Sequence, residues 1–137
     1  MTQPMPDWTA TARYRPDHPL EIEVDALPIE RALAEKPPCP VDYLLVAIAS
    51  CYALSLVGAL NRARRPIPPI QVTASGWRQV RPVASVGRVV LDIVCAGLGT
   101  DADRDTILAD AKRICTVSNT LAGAPVIEIS LIDEGQA

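Results

Sequence analysis

An α+β architecture follows from three features of the chain. Segments of strand-like alternation stand near the N-terminus, in the middle and near the C-terminus; Tyr43–Leu60 is a long run without a single charge; and a second, amphipathic helical pattern opens at Thr100. The order read along the chain is two strands, a short helix, a long helix, two strands, a helix and a strand, which predicts an antiparallel sheet packed on a long central apolar helix.

Trp8–Arg13 and Leu20–Val24 alternate like strands, and Tyr14-Arg15-Pro16-Asp17-His18-Pro19 between them has turn chemistry, so the chain should open with a hairpin. Pro28 followed by IERALAE suits a short helix with proline in its first turn. Lys36-Pro37-Pro38-Cys39-Pro40 is a stiff connector. The long helix should run from about Val41 to Ala63, where Pro66, Pro68 and Pro69 forbid its continuation. Gln71–Val80 and Val86–Cys95 read as two further antiparallel strands. Thr100-Asp101-Ala102-Asp103 begins the next helix, with Lys112 and Arg113 in its last turn to complement the dipole and Ile107, Leu108, Ala111 and Ile114 as its inner stripe. Val126–Ile132 (VIEISLI) alternates like a strand with one buried face.

The uncharged run meets the lower length bound for a membrane span. Ser50, Ser55 and Gly58 within it, Pro40 and Asp42 at its start, and the globular patterning elsewhere favour a soluble reading. A soluble helix that is apolar all round must be enclosed on every side, more than one small domain readily achieves, so a closed homodimer with this helix at its centre is expected. Leu44, Ala47, Ile48, Cys51, Ser55 and Gly58 share one face, and the small residues on it allow close approach of another helix.

At 137 residues the chain fits one domain, 1–137. Hydrophobic content of 49% with a net charge of −3 suits a folded soluble protein. Nucleic-acid binding is not expected: the basic residues form no stripe beyond Arg62, Arg64 and Arg65, and aromatic residues are few. No glycine-rich nucleotide motif is present, so no cofactor is expected. A single histidine, His18, and the lack of any CxxC argue against a metal site. The N-terminal stretch does not read as a secretory signal, which points to a cytoplasmic protein with reduced thiols. Asp101, Asp103 and Asp105 read as helix-capping charge rather than a cation site.

The four cysteines at 39, 51, 95 and 115 carry the remaining chemical information. Cysteine is among the most buried residue types, and Cys39 and Cys95 read as packing. Cys51 and Cys115 form a potential attacking and resolving pair if the fold brings them within reach. The attacking species must be the thiolate, yet Cys51 lies mid-helix, beyond help from the helix dipole. Arg62, the nearest cation on its own helix, is about 16 Å along the axis at 1.5 Å per residue. Arg13 and Arg15 in the hairpin are the alternatives.

The segment PVDYLLVAIASCYA, with the downstream Cys115-Thr-Val-Ser118-Asn119 and the separation of the two cysteines, resembles the OsmC and organic hydroperoxide resistance (Ohr) family of thiol peroxidases. The resemblance covers nearly the whole chain. It implies an OsmC-like fold and an intertwined homodimer with two active sites at the subunit interface. It further implies reduction of organic hydroperoxides, with Cys51 as the peroxidatic residue, Cys115 as the resolving one and Arg15 as the activating cation. An external dithiol, in many members dihydrolipoyl groups on a partner protein, would restore the reduced pair. This chain departs from the family where Val41 takes the glutamate position upstream of the first cysteine and Thr116 replaces the proline that commonly follows the second. Asp42, next to Val41, would point about 100° away on a regular helix. Two other readings use the same fold: a non-catalytic binding protein for an apolar metabolite, and a thiol redox sensor.

Overall fold

In the computed structural model, which describes residues 3–35 and 39–132, the strands form one antiparallel sheet. The strands are β1 (Trp8–Tyr14), β2 (Glu21–Val24), β3 (Leu27–Pro28), β4 (Ile70–Gln79) and β5 (Ser85–Cys95), in the order β3-β2-β1-β4-β5. The expected hairpin is β1–β2, with Ala10 opposite Val24, and β1 pairs with β4 along its whole length from Trp8↔Gly76 to Tyr14↔Ile70. Strand alternation divides the sheet into two faces. Trp8, Ala10, Ala12, Val72 and Ala74 are buried on the inner one. On the outer one Thr11 hydrogen-bonds Thr73 at 3.0 Å, and Arg13 donates to Gln71 at 3.0 Å while pairing with Glu23.

Among the described residues four helices accompany the sheet: α1 (Ile29–Glu35), α2 (Pro40–Arg62), α3 (Asp101–Ile114) and α4 (Thr116–Gly123). Proline at the first position of α2 costs no hydrogen bond, because that N–H has no intrahelical partner. Asp42 is buried, and its carboxylate accepts from the Cys39 N–H at 2.7 Å. It therefore serves the helix start. Thr100 caps α3 reciprocally with Asp103, as the sequence reading expects of this helix start.

The long helix has three working faces. Leu45, Ala49, Leu56 and Leu60, with no more than a trace of exposure, pack on the inner face of the sheet. The face carrying Ile48, Cys51, Ser55 and Gly58 is taken up within the same subunit by α3 and α4. At Gly58 a Cβ would sit 3.3 Å from Ile114 Cδ1, so the missing side chain is what lets the C-terminal end of α3 come in close. Tyr52 ties the two helices by donating its hydroxyl to the Leu108 carbonyl at 3.2 Å. Arg62–Asp110 and Arg65–Asp103 bridge their exposed sides. The third face stays open, with Tyr43 47% and Leu54 51% exposed.

The sequence reading requires three corrections. Pro28, expected in the first turn of α1, instead stands opposite Glu23 in β3, and the helix begins at Ile29. Thr116–Gly123, which the sequence reading left without structure, is helical. Val126–Ile132, expected as a strand, lies outside the sheet in irregular, exposed chain. Alternation makes a segment fit to be a strand, but only pairing along a strand edge makes it one. Ala124, in a left-handed conformation at the end of α4, leads the chain away without pairing to β3 or β5.

Gly58→Leu is expected to destabilise the protein by about 1–3 kcal/mol through overpacking against Ile114. Gly58→Ala should come close to neutral, because a gain of about 1 kcal/mol in helix propensity offsets the small shift asked of Ile114. Urea unfolding of the two variants beside wild type checks both signs.

Candidate active site

Cys51 projects from the middle of α2 on the face that α3 occupies. Cys115 sits at the break between α3 and α4, where its extended backbone (φ −74°, ψ 98°) ends one helix and starts the next. The close approach at Gly58 and Ile114 thus delivers Cys115, the residue after Ile114, against the turn of α2 that holds Cys51 and Ser55. The two thiols are close enough for Cys51 to influence the titration of Cys115, and both are free. Closing such a contact to a disulfide requires the sulfurs to approach to about 2.05 Å.

The cluster around Cys115 is polar in an apolar setting. Its side chain is fully buried, while Cys51 is only partly so. Burial pushes the Cys115 thiol up, but hydrogen bonding from the Ser118 hydroxyl and N–H, from Cys51 and from Ser55 outweighs it, and the net direction is down from the ordinary thiol value. The Tyr52 hydroxyl moves the other way, raised first by burial and then by the negative charge that Cys115 takes on. Ser118 and Ser55 also donate to the carbonyls of Cys115 and Cys51, at 3.2 and 2.7 Å.

A groove of about 500 Å³ lies next to Ser118, three residues from Cys115. Leu44 and Ile48 of α2, Val86 and Val89 of β5, and Leu121 of α4 give it apolar walls, and Arg88, which also stacks on Trp77, adds one cation to its lining.

The structure unites Cys51 with Cys115 and does not bring Arg15 to them. Arg15 pairs with Glu21 at the exposed end of the hairpin, and Arg13 is held by Glu23 and Gln71 on the outer face of the sheet. Cys95 faces a separate depression with Ile93, Leu98, Arg104 and Leu108, where burial raises its thiol. Cys39 is exposed at the start of α2. Among the described residues no three His, Cys, Asp or Glu side chains converge as a metal site. Ser55 and Ser118 were not singled out as site residues by sequence reasoning. Ser55 had a signal, standing one turn after Cys51 on the same helix face.

The family model for OsmC-like proteins matches residues 34–130, a span that includes α2, the sheet's longest strands, both helices of the thiol site and the pair itself. The chain belongs to the OsmC-like protein family. Its fold is similar to the crystal structure of an OsmC-like hydroperoxide resistance protein from Jannaschia sp. CCS1, at 15% identity over 93% of this chain and 94% of that one, with a TM-score of 0.60. It is also similar to a hypothetical protein from Aquifex aeolicus VF5, at 14% identity over 89% and 90% of the two chains, with a TM-score of 0.56. At these identities the likeness establishes the OsmC-like fold alone. No curated protein matches the chain.

The lowered Cys115 thiol has a consequence for stability. A group whose folded pKa is depressed contributes stability above its unfolded value and loses that contribution as pH falls through the folded one. Wild type should therefore gain stability relative to Cys115→Ser as pH rises from neutral toward about 9, the ordinary thiol value from which the Cys115 shift is reckoned. Urea midpoints of the two proteins across that range provide the check.

Proposed function

We propose that this OsmC-like protein is a cytoplasmic, homodimeric, thiol-dependent peroxidase that reduces organic hydroperoxides. The observation that carries the reading is the contact between Cys51 and Cys115 beside an apolar groove. Cys51, the more accessible sulfur, attacks the terminal peroxide oxygen and becomes a sulfenic acid. Cys115 then attacks the Cys51 sulfur, forming the disulfide and releasing water. An external dithiol, of the lipoyl kind, reduces the disulfide by thiol exchange. The groove walls of Leu44, Ile48, Val86, Val89 and Leu121 favour an alkyl or acyl hydroperoxide over hydrogen peroxide. Arg15 of a second subunit, released from Glu21, supplies the activating cation.

Two exposed apolar features support a dimer. One is the open face of α2, with Tyr43 and Leu54. The other is the unpaired segment Val126–Ile132, in which Val126, Ile127, Ile129, Leu131 and Ile132 are each 79% exposed or more. Patches this apolar are what subunit interfaces cover, and a second copy offers the outer edge of its β5 to an unpaired strand.

Three outcomes are expected. Reduced wild type should consume tert-butyl or fatty-acid hydroperoxides with loss of two thiols and a Cys51–Cys115 disulfide in the peptide map; consumption no faster than by Cys51→Ser would end the peroxidase reading. Hydrogen peroxide should be turned over more slowly than a fatty-acid hydroperoxide at equal concentration. Sedimentation should give a dimer that truncation after Ala124 weakens, and a monomeric wild type would remove the interface from the proposal.

A further inference from the structure

The charges of this chain are segregated. Between Asp42 and Asp92 stand six arginines and no acidic residue, in a protein whose net charge is −3. Arg62 and Arg65 meet Asp110 and Asp103 of α3, whereas Arg78, Arg81 and Arg88, on the β4–β5 hairpin, have no ion-pair partner among the described residues. We propose that this hairpin docks the protein on an anionic phospholipid bilayer, with its arginines at the headgroups and Val80 and Val83 in the interface. The bilayer is then where the thiol site meets its acyl hydroperoxides. The docking stands on the hairpin itself; its link to the substrate rests on the peroxidase reading and deepens it.

Strand β4 ends at Gln79 and β5 begins at Ser85, so residues 80–84 stand beyond the last paired positions of both strands. All of them are exposed, and Val80 and Val83, at 66% and 67%, flank Arg81 and Pro82. Arg78 stacks on Trp8 and Arg88 on Trp77, at 4.7 and 4.8 Å from the ring centres. A ring face holds a guanidinium in place without neutralising it, so both charges remain available to an outside anion. Asp7, whose carboxylate accepts the Arg78 backbone N–H at 2.7 Å, sets one acid at the base of the hairpin against three arginines. Cations beside exposed aliphatic side chains are what an anionic membrane surface attracts and takes in to a shallow depth. The contact is with the surface, and α2 stays in the protein core.

Where the hairpin leads favours a bilayer over an acidic protein as the occupant. Val86, Gly87 and Val89, from the first residues of β5 behind the tip, line the groove next to Ser118. Its apolar walls suit the acyl chain of a lipid, and a tip held at the headgroups brings that groove to the lipid. An acidic protein surface would meet the arginines but would leave the two valines and the groove without a counterpart.

Sedimentation of the full-length reduced protein with vesicles of phosphatidylcholine alone, and of phosphatidylcholine mixed with phosphatidylglycerol, tests the docking. Wild type is expected to bind the mixed vesicles, to leave the neutral ones and to be released by salt, as screening requires. Arg81 makes no hydrogen bond or ion pair among the described residues, so Arg81→Glu keeps the fold. That variant should bind the mixed vesicles roughly thirtyfold more weakly, at about 1 kcal/mol for each of the two charges changed. Val80→Ser combined with Val83→Ser should weaken binding about tenfold, for two valines partly withdrawn from water. Both variants should match wild type on tert-butyl hydroperoxide in solution and fall behind it on phosphatidylcholine hydroperoxide held in mixed vesicles. Equal sedimentation of wild type with the two kinds of vesicle, or undiminished binding by Arg81→Glu, would overturn the docking. So would binding of polyglutamate without binding of vesicles, which would assign the hairpin to an acidic protein. Lost binding with an unchanged rate on the vesicle-held hydroperoxide would overturn the bilayer as the source of substrate. A wild type that binds mixed vesicles yet consumes no hydroperoxide in either form would uphold the docking and end the peroxidase reading.

Discussion

A helix that is apolar on every side has no face to give to water, and enclosing α2 is the constraint on which the rest of this molecule depends. By length and composition alone α2 could cross a membrane; half of its most apolar stretch is buried within the subunit. The sheet takes the stripe of Leu45, Ala49, Leu56 and Leu60, and alanines at 10, 12 and 74 keep the strands close to it. Helices α3 and α4 take the second side. What is left uncovered, around Tyr43 and Leu54, is the side on which a second subunit has most to gain.

That enclosure places the chemistry. Because α3 must lie tight on α2, the contact is made where the side chains are smallest, at Gly58, and the chain break that follows Ile114 then falls opposite Cys51 and Ser55. The polar groups drawn into this apolar layer look after one another. Ser50 and Ser55 return their hydroxyls to carbonyls one turn back, at 2.6 and 2.7 Å, and Tyr52 finds Leu108. Cys115, whose thiol is lowered by neighbouring donors, differs from Cys95, whose thiol burial raises.

Much of this was legible in the chain. The periodicity of LEIEV, the prolines after Arg65 and the Thr100–Asp103 cap specify their elements through local rules, so hairpin, long helix and capped helix stand close to where those rules put them. The small-residue face of α2 was equally readable, as a face that something must approach closely. Its occupant was not, because nothing local says whether a neighbour on a flat stripe comes from the same chain or from another.

The sequence by itself determined which thiols could matter, since only Cys51 and Cys115 stand on segments whose pattern resembles a redox pair, and it determined that α2 needed covering. Tertiary structure decided the rest. It brought the sulfurs together through a glycine far from both in chemistry, gave Arg15 to Glu21, spent Asp42 on a helix start, and left Val126–Ile132 unpaired. The division has a physical cause: propensity, capping and alternation act between neighbours in the chain, whereas the partner of a charge, a thiol or a strand edge is settled only when distant segments compete for it.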